Sequence, residues 1–376
     1  MPSSDSSNPM RDQVFSLPTL IREQIWTLEG RTRKIVTTPE MFAVRDVVLT
    51  GSGDSYIGAM AAEAAFVELA GVRAQALSAM QASRYHARRF DWQYPSNPLV
   101  LAVSNSGEVA RVVEAVQHYN DCGALTVAIT GNPGSRLGHA ASRVVEVTIP
   151  PFASAPGVRS YYGSLLTLYL LAIRMAEVRG QVTADEAMDL RRELETAADA
   201  VDAVIAQMDQ PLQRLAQEWA SLPAVELLGS GPDRATAAYG AAKLLEAVGV
   251  HAAHQDVEEW VHQEYFVADA ARTGTILICP VDSPAFSRAV EVEGYLRTLQ
   301  RPYLVLSGGP AAAAFGQVLA HTQTIRPVFA PLLYSAPLAL FAAYLSAETG
   351  AAYGRGASGP WADCHDGATT RNSLIL

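Results

Sequence analysis

From residue 46 the chain repeats one phrase: a short run of apolar, often β-branched residues, then a Gly/Ser turn, then an Ala-rich stretch with helical spacing. Asp46 to Thr50 leads through Gly51-Ser52-Gly53-Asp54-Ser55 into Tyr56 to Leu69. Pro98 to Val103 leads through Ser104-Asn105-Ser106-Gly107-Glu108 into Val109 to Tyr119. Ala124 to Ile129, with Thr130-Gly131-Asn132-Pro133-Gly134 behind it, and Val144 to Ile149 complete the set. Strands alternating with helices in this way predict a parallel sheet whose right-handed crossovers cover both faces.

Between 160 and 220 the strand signal disappears, and Ser164 to Val178 and Ala184 to Gln207 read as long helices. The cadence then restarts: Val225 to Leu228 before Gly229-Ser230-Gly231-Pro232, Thr275 to Cys279 before Pro280 to Ser283, Tyr303 to Leu306 before Ser307-Gly308-Gly309, and Thr324 to Phe329 as a last strand. Leu49-Thr50-Gly51-Ser52-Gly53 is answered by Leu227-Leu228-Gly229-Ser230-Gly231, which points to a tandem duplication. The copies are unequal, because Val281-Asp282-Ser283-Pro284 stands where the first copy has its serine-rich turn, so one phosphate site per chain is the simpler expectation. The expected organisation is a disordered polar tail over 1–12, a first domain over 13–195 with a helical arm and connecting helices, a second over 196–350, and a C-terminal tail over 351–376 lying across the active site.

The full length of 376 residues suits two domains, and with nearly half the residues apolar and 18% charged each can bury a core. No run of eighteen uncharged apolar residues was identified, so no membrane span is expected. A net charge of −10 argues against a nucleic-acid partner, which calls for a basic face. Cys122, Cys279 and Cys364 are odd in number and widely spaced, which suits a reducing cytoplasm without disulfides or a zinc site. His251, His254 and His262 lack the i, i+4 pairing with an acidic partner that a metal centre needs, so no metal and no cofactor is expected.

The strongest local signal is Ser104-Asn105-Ser106-Gly107 before a helix. Two hydroxyls, loop N–H groups and a helix N-terminus can hold one phosphate without Lys or Arg, and Gly107 lets the backbone approach. An ordinary N-capped turn would look the same. The turn at Gly53, Asp54 and Ser55 falls at the same sheet edge, where ligands of open parallel sheets sit. Gly51-x-Gly53 lacks the third glycine of a dinucleotide fingerprint.

Five spaced motifs, in order, resemble the isomerase half of glucosamine-6-phosphate synthase and the double sugar-isomerase (SIS) domain family. Residues 10 to 18 are similar to the Met-x-x-E-I-x-E-Q-P opening, Gly51 to Tyr56 to the Gly-x-Gly-x-Ser-Tyr turn, Ser104 to Glu108 to S-x-S-G-E, and Gly157-Val158-Arg159-Ser160 to G-V-x-S. Gly240, Lys243, Glu246 and His262 keep the spacing of G-x-x-K-x-x-E followed sixteen residues later by His. The resemblance implies two flavodoxin-like doubly wound domains packed pseudo-symmetrically, a homodimer with the active site shared between subunits, a phosphosugar substrate and no cofactor. It implies Ser104 to Gly107 as phosphate ligands, and Gly53, Asp54, Ser55, Val158 and Ser160 as sugar contacts. Glu246 then matches the base that moves the C2 proton, His262 the ring-opening acid/base reaching in from a neighbouring subunit, and Lys243 a helper one turn from Glu246. Glu246 follows the apolar stretch Ala241-Ala242-Lys243-Leu244-Leu245, and partial burial there is expected to raise its pKa.

Departures narrow the reading. Asp54 stands where synthase-like members carry Thr, Tyr239 replaces a Glu, and the C-terminal segment lacks the family's lysine. With no glutaminase domain in the sequence, the leading expectation is conversion of glucosamine 6-phosphate to fructose 6-phosphate and ammonia. A lyase acting on an N-acetylated or related phosphosugar with the same base is the alternative, and a non-catalytic phosphosugar sensor is a third reading.

Overall fold

A computed structural model describes residues 8–87, 98–280 and 282–376. Helices α1 (Pro9–Phe15), α2 (Leu17–Ile35) and α3 (Thr38–Ala43) come before the first sheet. Then follow β1 (Asp46–Gly51), α4 (Asp54–Glu68), β2 (Arg73–Ser78), β3 (Leu99–Val103), α5 (Ala110–Asp121), β4 (Leu125–Thr130), α6 (Arg136–Ala140) and β5 (Arg143–Glu146). Helices α7 (Arg159–Val178) and α8 (Ala184–Trp219) lead to the second series. That series is β6 (Ala224–Leu228), α9 (Pro232–Ala247), β7 (His251–Gln255), α10 (Val257–His262), β8 (Thr273–Ile278), α11 (Phe286–Thr298), β9 (Tyr303–Gly308), β10 (Val318–His321) and α12 (Ala330–Thr349).

Both sheets have five parallel strands, ordered β2-β1-β3-β4-β5 and β7-β6-β8-β9-β10. The shared order is the doubly wound one, and it places a topological switch point between β1 and β3 and again between β6 and β8. The central strands are buried throughout, as at Leu99–Val103 and Thr273–Ile278, which is why they read as continuous apolar runs. Edge strands β2 and β7 escape sequence reading because they are half exposed and carry Arg73, Gln75, His251 and Gln255.

Two compact units contain these sheets. The first takes residues 19–151, 159–196 and 356–376; the second takes the chain up to 18, 152–158 and 197–355. The helical arm before residue 19 therefore groups with the second sheet, and the C-terminal segment with the first. Residues 1–7 lie outside the described residues, but the expected disordered tail does not reach residue 12. Asn8 caps α1 by accepting from the Arg11 N–H, its amide donates to the Ala343 carbonyl at 2.9 Å, and Met10 is buried.

Thr324 to Phe329 is not a strand. The last strand is Val318–His321, and Pro327 instead opens a short 3-10 turn that runs into α12. Pro327–Thr349 is long and apolar enough to cross a bilayer by length and composition, a property the sequence reading passed over, yet its apolar window is entirely buried within protein. It packs on α9, where Gly240 permits the approach: a Cβ there would stand 2.4 Å from Leu227 Cδ2 and 2.8 Å from Leu338 Cδ1.

Asp233, in the first turn of α9, is buried with Oδ1 unpartnered among the described residues, and burial pushes its carboxyl up to about 8. The folded chain holds this proton to about pH 8, whereas the unfolded chain releases it near 3.8. Stability at this site is therefore greatest below the unfolded value and falls as pH rises through that window. Asp233→Asn is expected to flatten the decline, measured as urea midpoints across the same pH range.

Candidate active site

The turn after β1 is built by two glycines. A Cβ on Gly51 would lie 2.7 Å from the Ser55 carbonyl carbon, and Gly53 adopts φ +55° as N-cap of α4. Ser55 donates its N–H back to the Ser52 carbonyl at 3.2 Å, and Asp54 opens the helix with Oδ1 shielded from solvent.

The turn after β3 is tighter. Ser104 is buried, donates its N–H to the Ile129 carbonyl, and accepts the Gly107 N–H on its hydroxyl at 3.1 Å. The Ser106 hydroxyl accepts the Glu108 N–H at 3.3 Å. The Asn105 carbonyl receives the Gly131 N–H, so the β4 turn braces the β3 turn. Among the described residues, the N–H groups of Asn105 and Ser106 donate to nothing, which leaves two donors and two hydroxyls at the start of α5 for an anion. Glu108 is tied to Arg136 at 2.9 Å, and that ion pair holds its carboxyl below the usual range.

Residues 370–376 run along α5. The Thr370 carbonyl accepts the Ala110 N–H at 2.9 Å, and the Arg371 carbonyl accepts from Arg136 at 2.9 Å. Arg111 donates to the Ser373 hydroxyl at 3.0 Å, and the Leu376 N–H donates to Glu114 at 2.8 Å. Burial alone would raise the Glu114 carboxyl, but the Leu376 N–H, Arg84 and Arg111 outweigh it and hold it at about 2.

In the second unit, Lys243 is fully buried on α9. Its Nζ lies 2.6 Å from Glu246 Oε2, 3.4 Å from the Gly157 carbonyl and 5.3 Å from the Tyr239 ring centroid. The expected burial of Glu246 is not found: its side chain is 44% exposed, and Lys243 is the buried member of the pair. The apolar stretch that suggested burial turns its Leu244 inward and its Leu245 and Glu246 outward. Val158 is buried and donates its N–H to Gln13 at 3.3 Å. Ser160 belongs to the first unit, in the first turn of α7, so the G-V-x-S segment divides between units.

His262 ends α10 with its side chain 64% exposed and Nε2 3.1 Å from Glu258. Its helix is held by a group that sequence reading missed. Glu226 on β6 accepts from Trp260 Nε1 at 2.9 Å and Arg301 at 2.6 Å, and Arg301 also donates to the Glu264 carbonyl at 2.6 Å. A glutamate inside the apolar β6 run was the available signal. No cluster of three or more His, Cys, Asp or Glu side chains among the described residues is placed to hold a metal ion.

With this geometry in place, comparison with known proteins is informative. The SIS domain family matches residues 40–174. Across a wider span the chain is homologous to isomerizing glutamine–fructose-6-phosphate aminotransferases. That of Zymomonas mobilis is 24% identical over 348 residues, covering 91% of this chain and 56% of the relative. That of Mycolicibacterium smegmatis is 27% identical, covering 67% and 41%. The chain thus spans about half the length of the curated relatives it matches. In fold it is similar to the C-terminal domain of glucosamine-fructose-6-phosphate aminotransferase from Francisella tularensis, with TM-score 0.82, 15% identity, and coverage of 94% of this chain and 99% of that one. A glucosamine-6-phosphate deaminase from Thermotoga maritima shares the fold at TM-score 0.59 and 16% identity, covering 89% and 94%. The two five-stranded parallel sheets share the fold of that Francisella tularensis domain.

Two variants test the scaffold. At Gly107, φ is +67° and a Cβ would come 1.8 Å from Ser135 Oγ and 2.4 Å from Ser135 Cβ. Gly107→Ala should cost about 1–3 kcal/mol by urea denaturation, and Ser135→Ala should not rescue it. Glu226→Ala strands the buried Arg301 charge and should cost about 3–5 kcal/mol, read the same way.

Proposed function

We propose that this chain is a phosphosugar-processing enzyme that converts an amino-sugar 6-phosphate, glucosamine 6-phosphate above all, to fructose 6-phosphate and ammonia. The observation that carries the reading is the carboxylate of Glu246, directed by a wholly buried lysine 2.6 Å away at the position where the resemblance places the proton-transfer base. A buried ammonium has few ways to be satisfied. Its bonds to Glu246 and the Gly157 carbonyl fix the direction of a side chain that would otherwise sweep through solvent.

Each role follows from local chemistry. The serine turn takes the phosphate with Ser104, Asn105, Ser106 and Gly107, through neutral donors and a helix N-terminus. Gly53, Asp54, Ser55, Val158 and Ser160 are the sugar contacts of this reading. His262 opens the ring by taking the C1 hydroxyl proton and returning a proton to the ring oxygen. Glu246 then removes the C2 proton of the open-chain aldehyde and delivers a proton to C1, which leaves an imine at C2. Water adds to that imine, and ammonia departs as the C2 ketone forms. Lys243 orients Glu246 throughout.

His262 is exposed and meets only Glu258 of its own chain among the contacts of the described residues, which favours its acting in the site of a second copy. A cytoplasmic homodimer is part of this reading, as is a C-terminal segment lying across the active site. The homology to aminotransferases that isomerize fructose 6-phosphate supports the substrate class.

Incubation with glucosamine 6-phosphate should release ammonia and fructose 6-phosphate in equal amounts. Glu246→Gln should lower kcat by about 10²–10⁴-fold with little change in KM, whereas Ser106→Ala should act mainly on KM. Loss of water from an N-acetylated substrate, or tight binding without turnover, would overturn the assignment.

A further inference from the structure

The second unit contains a cavity that the proposed chemistry does not use. It has a volume of about 120 Å³ and lies at the carboxyl ends of β8, β9 and β10, bounded by the Gly308-Gly309 turn and the start of α12. By strand order this is the counterpart of the serine-turn edge in the first unit, since β8 and β9 occupy the places of β3 and β4.

The donors are of the opposite kind. Pro280, Pro310 and Pro327 line the cavity and carry no N–H. The Gly309 N–H is already given to the His321 carbonyl at 2.8 Å. Among the described residues no Lys or Arg lines the space, and Asp282 adds a carboxylate. A phosphate placed here would face the Asp282 carboxylate with no cationic side chain among the described lining residues to offset it.

The polar groups that remain suit an uncharged guest. His321 and Tyr334, each 3% exposed, share a hydrogen bond of 2.8 Å between Nε2 and the phenolic oxygen. Burial lowers the imidazole pKa and raises that of the phenol, so both are neutral at neutral pH. Gln323 and Thr324 add an amide and a hydroxyl, while Ile325, Leu333 and the prolines form apolar walls. A carboxylate that accepts two hydroxyls, neutral donors and acceptors beside it, and flat apolar walls for C–H faces are what a hydroxylated ring requires.

We infer that this cavity is a second ligand site, taking an uncharged, unphosphorylated polyol or monosaccharide ring independently of the serine turn. The inference does not rest on the deaminase reading. It follows from a duplicated fold whose second copy has exchanged an anion-binding edge for proline walls and a carboxylate.

The test is calorimetric titration of the full chain with glucose, galactose, fructose and sorbitol, in parallel with glucosamine and glucose 6-phosphate. At least one uncharged member should bind saturably. Asp282→Asn, a change at an exposed side chain, should weaken that binding by about tenfold. Ser106→Ala should leave it unchanged, and in that variant glucose 6-phosphate should bind no better than glucose. Absence of saturable binding by every uncharged member overturns the proposal. So does binding lost with Ser106→Ala but kept with Asp282→Asn, or binding by glucosamine alone, which would mark a cation site.

Discussion

A parallel strand that hands directly to a helix must reverse its backbone within a few residues, and the inside of that bend has no space for a side chain. In both units the bend is made by the same pair. Gly51 and Gly229 sit where a Cβ would come within 2.7 Å of Ser55 and 2.3 Å of Asp233, and Gly53 and Gly231 take φ values of +55° and +59° with ψ of −133° in each. The helix N-terminus is thereby pinned against the carboxyl edge of the sheet, the edge at which the serine turn after β3 also lies. Near-identical dihedrals in the two halves are the physical trace of the duplication that the repeated Leu-x-Gly-Ser-Gly phrase suggests.

Both halves pair charges near the sheet, the first by burying Glu114 against Arg84 and Arg111. In the first unit, the turn after β3 leaves neutral donors pointing outward, and Glu108 is occupied with Arg136. In the second, two cations are buried: Lys243 beneath the 44% exposed Glu246, and Arg301 beside the buried Glu226. Such pairs contribute little net stability, because desolvation offsets attraction. Their effect is geometric, since each buried cation fixes the candidate element it bonds: Glu246 in one case, the helix bearing His262 in the other.

The central strands were legible because burial on both faces forces uninterrupted Val, Leu and Ile, as in Leu99–Val103. The edges were not, because β2 and β7 need only one neighbour and tolerate Arg73, Gln75 and His254. The apolar Ile325 and Phe329 suggested a strand, but Pro327 between them can donate no ladder hydrogen bond and starts a helical turn instead. The serine turn was readable since its chemistry is local. The exposure of Glu246 was not: Leu244 and Leu245 are equally apolar in sequence, and only the helical phase decides that one is buried and the other open. The Glu226–Arg301 pair spans 75 positions, beyond any local pattern. Assignment of 356–376 to the first sheet and of the arm before 19 to the second is likewise a fact of long-range contact.

Buried from Ala330 to Ser346, the apolar α12 is the last long helix among the described residues, and it is the cover for α9. During synthesis the Ala-rich face of α9 is made about eighty residues before its cover. For that interval, and in any nascent chain halted before residue 330, α9 presents a greasy outer face with nothing laid on it. The order of the elements therefore makes the half-made polypeptide a natural client for chaperones, and delays cooperative closure of the second unit until α12 has been made.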